Sequence, residues 1–217
     1  MRTLALWSAA AMAAGLAACG GAGSSATSAS APATTASTST ATATSPAAAA
    51  PPPAAAAVLT AEGWGPVRVA MTEAQALGAL PDGWRPDDGS GDANACHFLR
   101  SGSASPVVIM VENGRVTRIT TQAVEGGAAT PRTDRGVGLG STEAEVRAAY
   151  PGAGEEPDRY DPTAKSLYFW TAGATNGSSE YVQNEMARGL RFEVGADGRV
   201  AAIHAGGPSI QLAEGCS

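Results

Sequence analysis

The chain has 217 residues, of which 44% are hydrophobic and 16% are charged, and its 14 basic and 20 acidic residues give a net charge of −6. This acidic balance excludes a basic nucleic-acid-binding surface and electrostatic attachment to anionic lipid headgroups. The length suffices for one ordinary domain or for two small units that share a core.

The N-terminal segment is typical of an export signal. Arg2 precedes an apolar stretch at residues 4–18, which is shorter than the roughly 20 residues of a membrane-spanning helix. The stretch ends in Leu-Ala-Ala-Cys-Gly. This pattern resembles the lipobox of bacterial lipoproteins, in which the cysteine is diacylated and becomes the mature N-terminus. We therefore predict that residues 1–18 are a signal peptide and that Cys19 is the lipidation site.

The lipobox resemblance implies an extracytoplasmic protein that is attached to a membrane only through its N-terminal lipid. Because glycine rather than aspartate follows Cys19, we expect the outer membrane, facing the periplasm, in a cell with two membranes. The alternative is a secretory signal without lipidation.

Residues 19–57 are predicted to be the lipidated cysteine and a disordered linker. After Cys19 this segment contains only Gly, Ala, Ser, Thr and Pro. Such a composition buries too little apolar surface to offset the entropy of the chain. A flexible coil of this length spans roughly 35 Å on average. We therefore expect the folded region to work away from the membrane surface.

Two short helices with the same start signal are predicted 70 residues apart in the sequence. Thr72 stands three residues before Gln75, and Thr142 stands three residues before Glu145, so both segments carry a capping box. Apolar residues at helical spacing follow in each copy. Each copy then ends at a proline, which disfavours helix in the residue before it.

A β-hairpin is predicted after each helix. Asn113-Gly114 and Asp197-Gly198 suit turns with positive φ, and both lie between runs that favour strands. The motif Gly-Arg-Val-x-x-Ile occurs at both turns. A further strand precedes each hairpin, at residues 96–100 and 166–170. Each copy therefore predicts one helix followed by three strands.

The predicted fold class is α+β, with repeat unit 1 at residues 58–130 and repeat unit 2 at residues 131–217. Because a helix and three strands cannot close a good core alone, we expect the two tandem helix-plus-three-strand units to form one antiparallel sheet with both helices packed on one face. The other sheet face is expected to be open. Alternation places Tyr168 and Trp170 together on one of the two faces.

Cys96 and Cys216 are the two cysteines after the linker, and an oxidising location favours a disulfide between them. The alternative is a metal site that both cysteines form with His97 and His204. Adjacent side chains on a strand point to opposite faces, and neither Cys–His pair has the spacing of a zinc site. We therefore expect a disulfide, no metal and no cofactor.

Motifs of catalysis are absent from the sequence. The glycines that precede the second helix lack the lysine of a phosphate loop. No Gly-x-Ser-x-Gly or Ser-x-x-Lys motif occurs, and the only histidines are His97 and His204. We therefore predict that the protein is not an enzyme.

The second helix starts with Gly140 and Thr142, and Val146 follows four residues later. This start resembles the Gly-Met-Thr-x-x-x-Val start of the BamE (SmpA/OmlA) lipoprotein family. The first helix keeps the methionine and threonine of that pattern but has alanine in place of the glycine and the valine. The doubled arrangement is similar to the β-lactamase inhibitory protein fold, in which two units form a concave sheet. The resemblance covers most of residues 63–206. It implies a protein-binding role, which is the assembly of outer-membrane barrels in one family and the inhibition of an enzyme in the other.

These observations predict a monomeric, non-catalytic protein-binding module that binds an envelope protein in envelope assembly or maintenance. One alternative is an inhibitor of a periplasmic or secreted enzyme that uses the loop at residues 173–180. A second is a hydrolase of envelope polymers built around a histidine. Candidate binding residues are the aromatic and arginine side chains that dominate binding hot spots, namely Trp84, Arg118, Tyr168, Trp170 and Arg191.

Overall fold

A computed structural model describes residues 57–87, 95–178 and 180–216, which belong to one compact unit. The predicted signal peptide, Cys19 and the linker up to residue 56 lie outside the described residues. The helices in the described part of the chain are too short or too polar to cross a bilayer.

In chain order the elements are β1 (Leu59–Thr60), β2 (Gly63–Trp64), β3 (Val67–Arg68), α1 (Glu73–Ala79), β4 (Arg85–Pro86), β5 (Cys96–Arg100), β6 (Val107–Glu112), β7 (Arg115–Gln122), α2 (Glu143–Ala149), β8 (Gly154–Pro157), β9 (Lys165–Ala172), β10 (Arg188–Val194), β11 (Val200–Gly206) and a 3₁₀ turn (Pro208–Gln211).

The strands form two antiparallel sheets. β1, β2 and β3 make a small sheet, and the other strands form an eight-stranded sheet in the order β4-β5-β6-β7-β11-β10-β9-β8. In the centre, β7 pairs with β11, and Ile119 lies opposite Ala205. The large sheet therefore has two halves of four consecutive strands each, β4 to β7 and β8 to β11. The last strand of each half lies at the centre of the sheet.

The predicted α+β fold class is wrong. The described chain is mostly β, and its three-stranded and eight-stranded sheets with two short helices do not form two tandem helix-plus-three-strand units. The missed edge strands β4 and β8 contain Pro86, Gly154 and Pro157, which are residue types that strands disfavour. Proline is tolerated there because an edge strand has N–H groups that need no partner within the sheet. The missed strands β1 to β3 have two residues each, which is too short for a pattern of alternation.

Both helix starts are confirmed. The Thr72 Oγ1 accepts a hydrogen bond from the Gln75 backbone N–H at 3.3 Å, and the Gln75 Oε1 accepts one from the Thr72 N–H at 2.9 Å. Thr142 and Glu145 make the equivalent pair of bonds at 3.3 and 2.7 Å. Each capping box satisfies backbone donors that the first helical turn leaves without an intrahelical partner.

Both hairpins are confirmed as well. β6 and β7 turn at Asn113-Gly114, where both residues have positive φ, and β10 and β11 turn at Asp197-Gly198. Each helix start contacts a turn, because the Glu73 N–H donates to the Gly114 carbonyl oxygen at 3.0 Å and the Glu143 N–H donates to the Gly198 oxygen at 3.1 Å. The segments repeated in the sequence therefore make the same contacts in the fold.

The main apolar core lies between one face of the large sheet, the two helices and the small sheet. Tyr150, at the end of α2, packs its ring 5.1 Å from the Phe192 ring and 5.2 Å from the Phe169 ring. Leu167 is fully buried in the same cluster. Strand alternation therefore directs the neighbouring Tyr168 and Trp170 to the opposite face of the sheet.

The opposite face is covered by residues 207–216, which we call the C-terminal strap. The strap begins after β11, forms the 3₁₀ turn, and ends at β5, where Cys216 forms the expected disulfide with Cys96 at a Cα–Cα distance of 5.3 Å. Ile210 of the strap is fully buried in a second apolar cluster with Tyr168 and Trp170. The sheet face that the sequence predicted to be open is therefore closed by the chain itself.

Candidate functional site

The five predicted binding residues do not form one exposed surface. Arg118, Tyr168, Trp170 and Arg191 lie together on the face beneath the strap, where each is between 4% and 8% exposed. Trp84 lies apart from them, and its ring packs against the Trp64 ring at 5.9 Å beside the main core. The structure therefore gathers four of the five residues and buries them.

Arg118 and Arg191 bind the backbone of the strap. Arg118 donates through Nη1 to three strap carbonyl oxygens at 3.2 to 3.3 Å. Arg191 donates through Nη1 to the carbonyl oxygens of Ile210 and Leu212 at 3.2 and 2.8 Å. The Leu212 oxygen accepts from both guanidinium groups, so the two arginines converge on one point of the strap.

A ladder of polar side chains crosses the centre of the covered face. The Glu193 Oε1 accepts from the Arg191 Nη2 at 2.9 Å and lies 2.9 Å from the His204 Nε2. The His204 Nδ1 lies 2.9 Å from the Thr120 Oγ1, and the Arg191 Nε donates to the Ser166 Oγ at 3.0 Å. The ladder connects strands β7, β11, β10 and β9 across the middle of the sheet.

Thr120, His204 and Glu193 stand in the order of a nucleophile, a base and a carboxylate. Burial, and more weakly the positive charge of Arg118, lowers the pKa of His204 to about 4 although Glu193 acts against this shift. The imidazole is therefore a weak base at neutral pH, and both it and the threonine are buried. The arrangement fits a hydrogen-bond network that holds the sheet together better than it fits catalysis.

The carboxylate of Glu193 is ionised within this network. Burial raises its pKa, but the hydrogen bond with His204 and the charges of Arg191 and Arg118 lower it more, so that its pKa lies below the ordinary value. An ionised Glu193 accepts from the His204 Nε2–H, and the His204 Nδ1 then accepts from the Thr120 hydroxyl. Every polar atom of the central histidine has a partner in this tautomer.

His204 predicts a loss of stability on acidification. Its pKa is 6.5 in the unfolded chain and about 4 in the fold, so between these values the unfolded state binds a proton that the folded state does not. The contribution of neutral His204 to the free energy of unfolding is complete above pH 6.5. It is lost as the pH falls toward 4, by on the order of 3 kcal/mol. Urea unfolding at neutral and acidic pH measures this loss.

The matched variant for the pH experiment is His204→Gln, which keeps hydrogen-bonding atoms but does not titrate in this range. We expect its stability to depend less steeply on pH than that of the wild type between pH 6.5 and 4. An identical pH dependence in both proteins would show that His204 is not the responsible group.

The other predicted chemistry is not assembled. His97 is buried near α1, with its Nε2 3.3 Å from the Glu73 Oε2. The cysteines of the alternative metal site are joined in the disulfide, so they are not free as ligands. Within residues 57–87, 95–178 and 180–216, no group of three or more His, Cys, Asp or Glu side chains is placed to hold a metal ion.

A groove of about 610 Å³ lies beside the strap. Its walls come from the segment before α1, the β6–β7 turn, the loop between β9 and β10, and the strap itself. Apolar side chains and charges of both signs line it: Val69, Val182 and Leu212 together with Glu112, Arg115, Glu185 and Arg188. A concave surface of mixed character suits a protein segment better than a small charged ligand.

The loop between β9 and β10 exposes two large hydrophobic side chains, of which Tyr181 lines the groove. Tyr181 is 56% exposed and Met186 is 72% exposed. The loop is fixed in place, since Val182 and the Gln211 side chain exchange two hydrogen bonds of 2.9 Å and the Asn184 Nδ2 donates to the Gly173 oxygen at 3.0 Å. Exposed apolar side chains that are held beside a groove mark an interaction site.

Sequence reasoning missed Tyr181 and Met186. The predicted inhibitory loop at residues 173–180 ends one residue before Tyr181 and covers only the first part of the β9–β10 loop. A usable signal was present, because an aromatic residue and a methionine stand in a run that is otherwise polar and rich in glycine. Such residues have no core position to fill in a predicted loop.

Comparisons with known proteins add little to this geometry. Neither a protein-family model nor a curated protein matches the chain. One solved structure is similar to the chain, the crystal structure of the uncharacterized protein yfeY from Escherichia coli. The two sequences are 16% identical, and the match has a TM-score of 0.36 and covers 69% of this chain and 99% of that chain. A similarity of that size supports no functional assignment.

Proposed function

We propose that this protein is a non-catalytic protein-binding lipoprotein of the cell envelope, and that it binds its partner through the surface around Tyr181 and Met186. The observation that carries the proposal is the fixed β9–β10 loop, in which Tyr181 lines the 610 Å³ groove and Met186 is exposed five residues later. Tyrosine and methionine are enriched in protein interfaces. The charges around the groove provide a polar rim of both signs.

The N-terminal sequence supports an envelope location for this role. A signal peptide at residues 1–18 followed by a lipidated Cys19 gives the mature protein a lipid anchor, and the linker at residues 20–57 lets the folded region reach a partner away from the membrane. The resemblance to the BamE family favours an envelope protein as the partner. We propose a monomer, because one copy provides both walls of the groove.

Site-specific photo-crosslinking in the native envelope tests the proposed surface. A photo-reactive phenylalanine analogue at Tyr181 is expected to form a discrete adduct with one envelope protein. The matched control is the same analogue at Tyr160, which is 65% exposed but lies in the β8–β9 loop, away from the lining of the groove. Tyr181→Ala and Met186→Ala are each expected to weaken binding of the captured partner about tenfold.

Two results would contradict the proposed surface. One is the absence of an adduct at Tyr181 in the anchored protein, and the other is an equal adduct pattern at Tyr181 and Tyr160. The identity of the captured protein also separates the alternatives, because an inhibitor would capture a periplasmic or secreted enzyme and lower its activity.

A further inference from the structure

The face beneath the strap holds two buried arginines, one of which has no carboxylate partner. Arg118 forms no ion pair with any carboxylate in the described residues, and its Nε is buried without a hydrogen-bond partner. Burial lowers the pKa of Arg118 to about 10, which shows how strongly its charge is desolvated. Neutral carbonyl oxygens offset that desolvation less well than a carboxylate does.

Arg191 lies next to Arg118 and points the same way. Its Nη2 pairs with Glu193, but its Nη1 faces the strap and meets only carbonyl oxygens there. The guanidinium groups of both arginines therefore present donors to one point, the position of the Leu212 oxygen. Two converging guanidinium groups favour a carboxylate at such a point.

The strap shows how a peptide fits this face. Ile210 fills an apolar pocket formed by Tyr168, Trp170 and Ala187. Two residues later, the Leu212 oxygen lies 3.2 Å from the Arg118 Nη1 and 2.8 Å from the Arg191 Nη1. The arginines contact only backbone atoms of the strap, so the face recognises one aliphatic side chain and a nearby oxygen.

We propose that this face is a binding site for a peptide that ends in a free carboxylate two residues after a branched aliphatic residue, and that the strap masks the site while the Cys96–Cys216 disulfide is intact. A chain that ends at the position of Leu212 places its terminal carboxylate between Arg118 and Arg191. The terminal carboxylate then supplies the negative charge that the carbonyl oxygens of the strap lack. The strap also forms one wall of the groove at Tyr181, so the surface around Tyr181 belongs to the closed form and the peptide site to the opened form.

Opening the site requires a dithiol reductant. One thiolate of the reductant attacks a sulfur of the disulfide and forms a mixed disulfide, and its second thiol then displaces the remaining sulfur. Cys96 and Cys216 leave as thiols and the reductant becomes a disulfide, so two electrons and two protons pass to the protein. Both cysteines are half-buried rather than buried, so the exchange has access to them.

The test uses the full chain and two fluorescent pentapeptides with the sequence of residues 208–212. One peptide ends in a free carboxylate, and the other ends in an amide. The opened protein is the variant C96S/C216S with Ile210→Asp, since an intact strap competes at high effective concentration even without the disulfide. Oxidised wild type is the closed form, and reduced wild type is a second opened form.

We expect oxidised wild type to bind neither peptide. The opened variant is expected to bind the carboxylate peptide about tenfold more tightly than the amide, since a hydrogen bond to a charged group is worth at least that factor. Adding Arg118→Met to the opened variant is expected to remove most of this preference. A merely structural arginine would not change the ratio of the two affinities.

Three results would overturn the proposal. The first is equal binding of both peptides to the opened variant, and the second is equal binding of the carboxylate peptide to the oxidised and opened forms. The third is that neither opened form binds the carboxylate peptide. This includes the case in which circular dichroism shows that both opened forms have lost the sheet, because the strap would then be an integral part of the fold. Cross-linking at Tyr181 is measured on the wild-type strap with its disulfide intact, where the bonds between Gln211 and Val182 are kept, so the two proposals fail separately.

Discussion

Replacing Cys96 and Cys216 together with serine is expected to lower the free energy of unfolding by about 5 kcal/mol, the value that the chain-entropy model gives for a loop of this size. The disulfide joins residues separated by 120 positions and so constrains most of the folded region. Without it, the strap is held by non-covalent contacts, which include the hydrogen bonds to Arg118 and Arg191, the two bonds between Gln211 and Val182, and the burial of Ile210. Guanidinium unfolding followed by circular dichroism measures the difference.

Reduced wild type is the control for the cysteine variant. Reduced wild type lacks the same covalent link as C96S/C216S, so the free energies of unfolding of the two proteins should match. A variant that unfolds within about 1 kcal/mol of the oxidised protein would contradict this account, because the constraint on the unfolded chain would then contribute no more than an ordinary substitution.

Arg191→Ala is expected to lower the free energy of unfolding by about 3–5 kcal/mol, as for other buried charges that lose their partner. The substitution leaves the half-buried Glu193 without its guanidinium partner and leaves the oxygens of Ile210 and Leu212 without one donor each. It also removes the bond to Ser166. Unfolding in urea, with the strap covalently attached, measures the loss.

Arg188 on the same strand offers a matched control. It is half-buried, and its Nη1 donates only to the carbonyl oxygens of Glu185 and Ala187 nearby in the chain. Arg188→Ala is expected to cost about 1 kcal/mol or less. Similar losses for both alanine variants would show that the network around Arg191 contributes nothing beyond ordinary side-chain contacts.

Local signals explain the parts of the fold that were predictable from the sequence. The capping boxes at Thr72 and Thr142 and the turns at Asn113-Gly114 and Asp197-Gly198 depend on residues three or four positions apart. The disulfide followed from two cysteines after the linker together with the expected oxidising location. Each of these features is determined by chemistry that a short stretch of sequence contains.

The missed features depend on contacts between distant parts of the chain. β4 and β8 exist because longer strands lie beside them, and their prolines argue against strands when the sequence is considered alone. The strap has no strand alternation, and Arg118 binds carbonyl groups 91 to 96 positions away. Four candidate binding residues lie on one face of the sheet, but nothing in their own sequence shows that residues 207–216 cover them.

The position of the disulfide has a consequence for the proposed export. Cys96 and Cys216 stand 120 positions apart. In a chain exported from its N-terminus, the Cys96 thiol would therefore reach an oxidising compartment well before its partner. The remaining cysteine of the 217 residues is Cys19. The proposed acylation of its sulfur would remove it as a wrong partner for Cys96, so that the lipid would protect correct oxidation as well as anchor the protein.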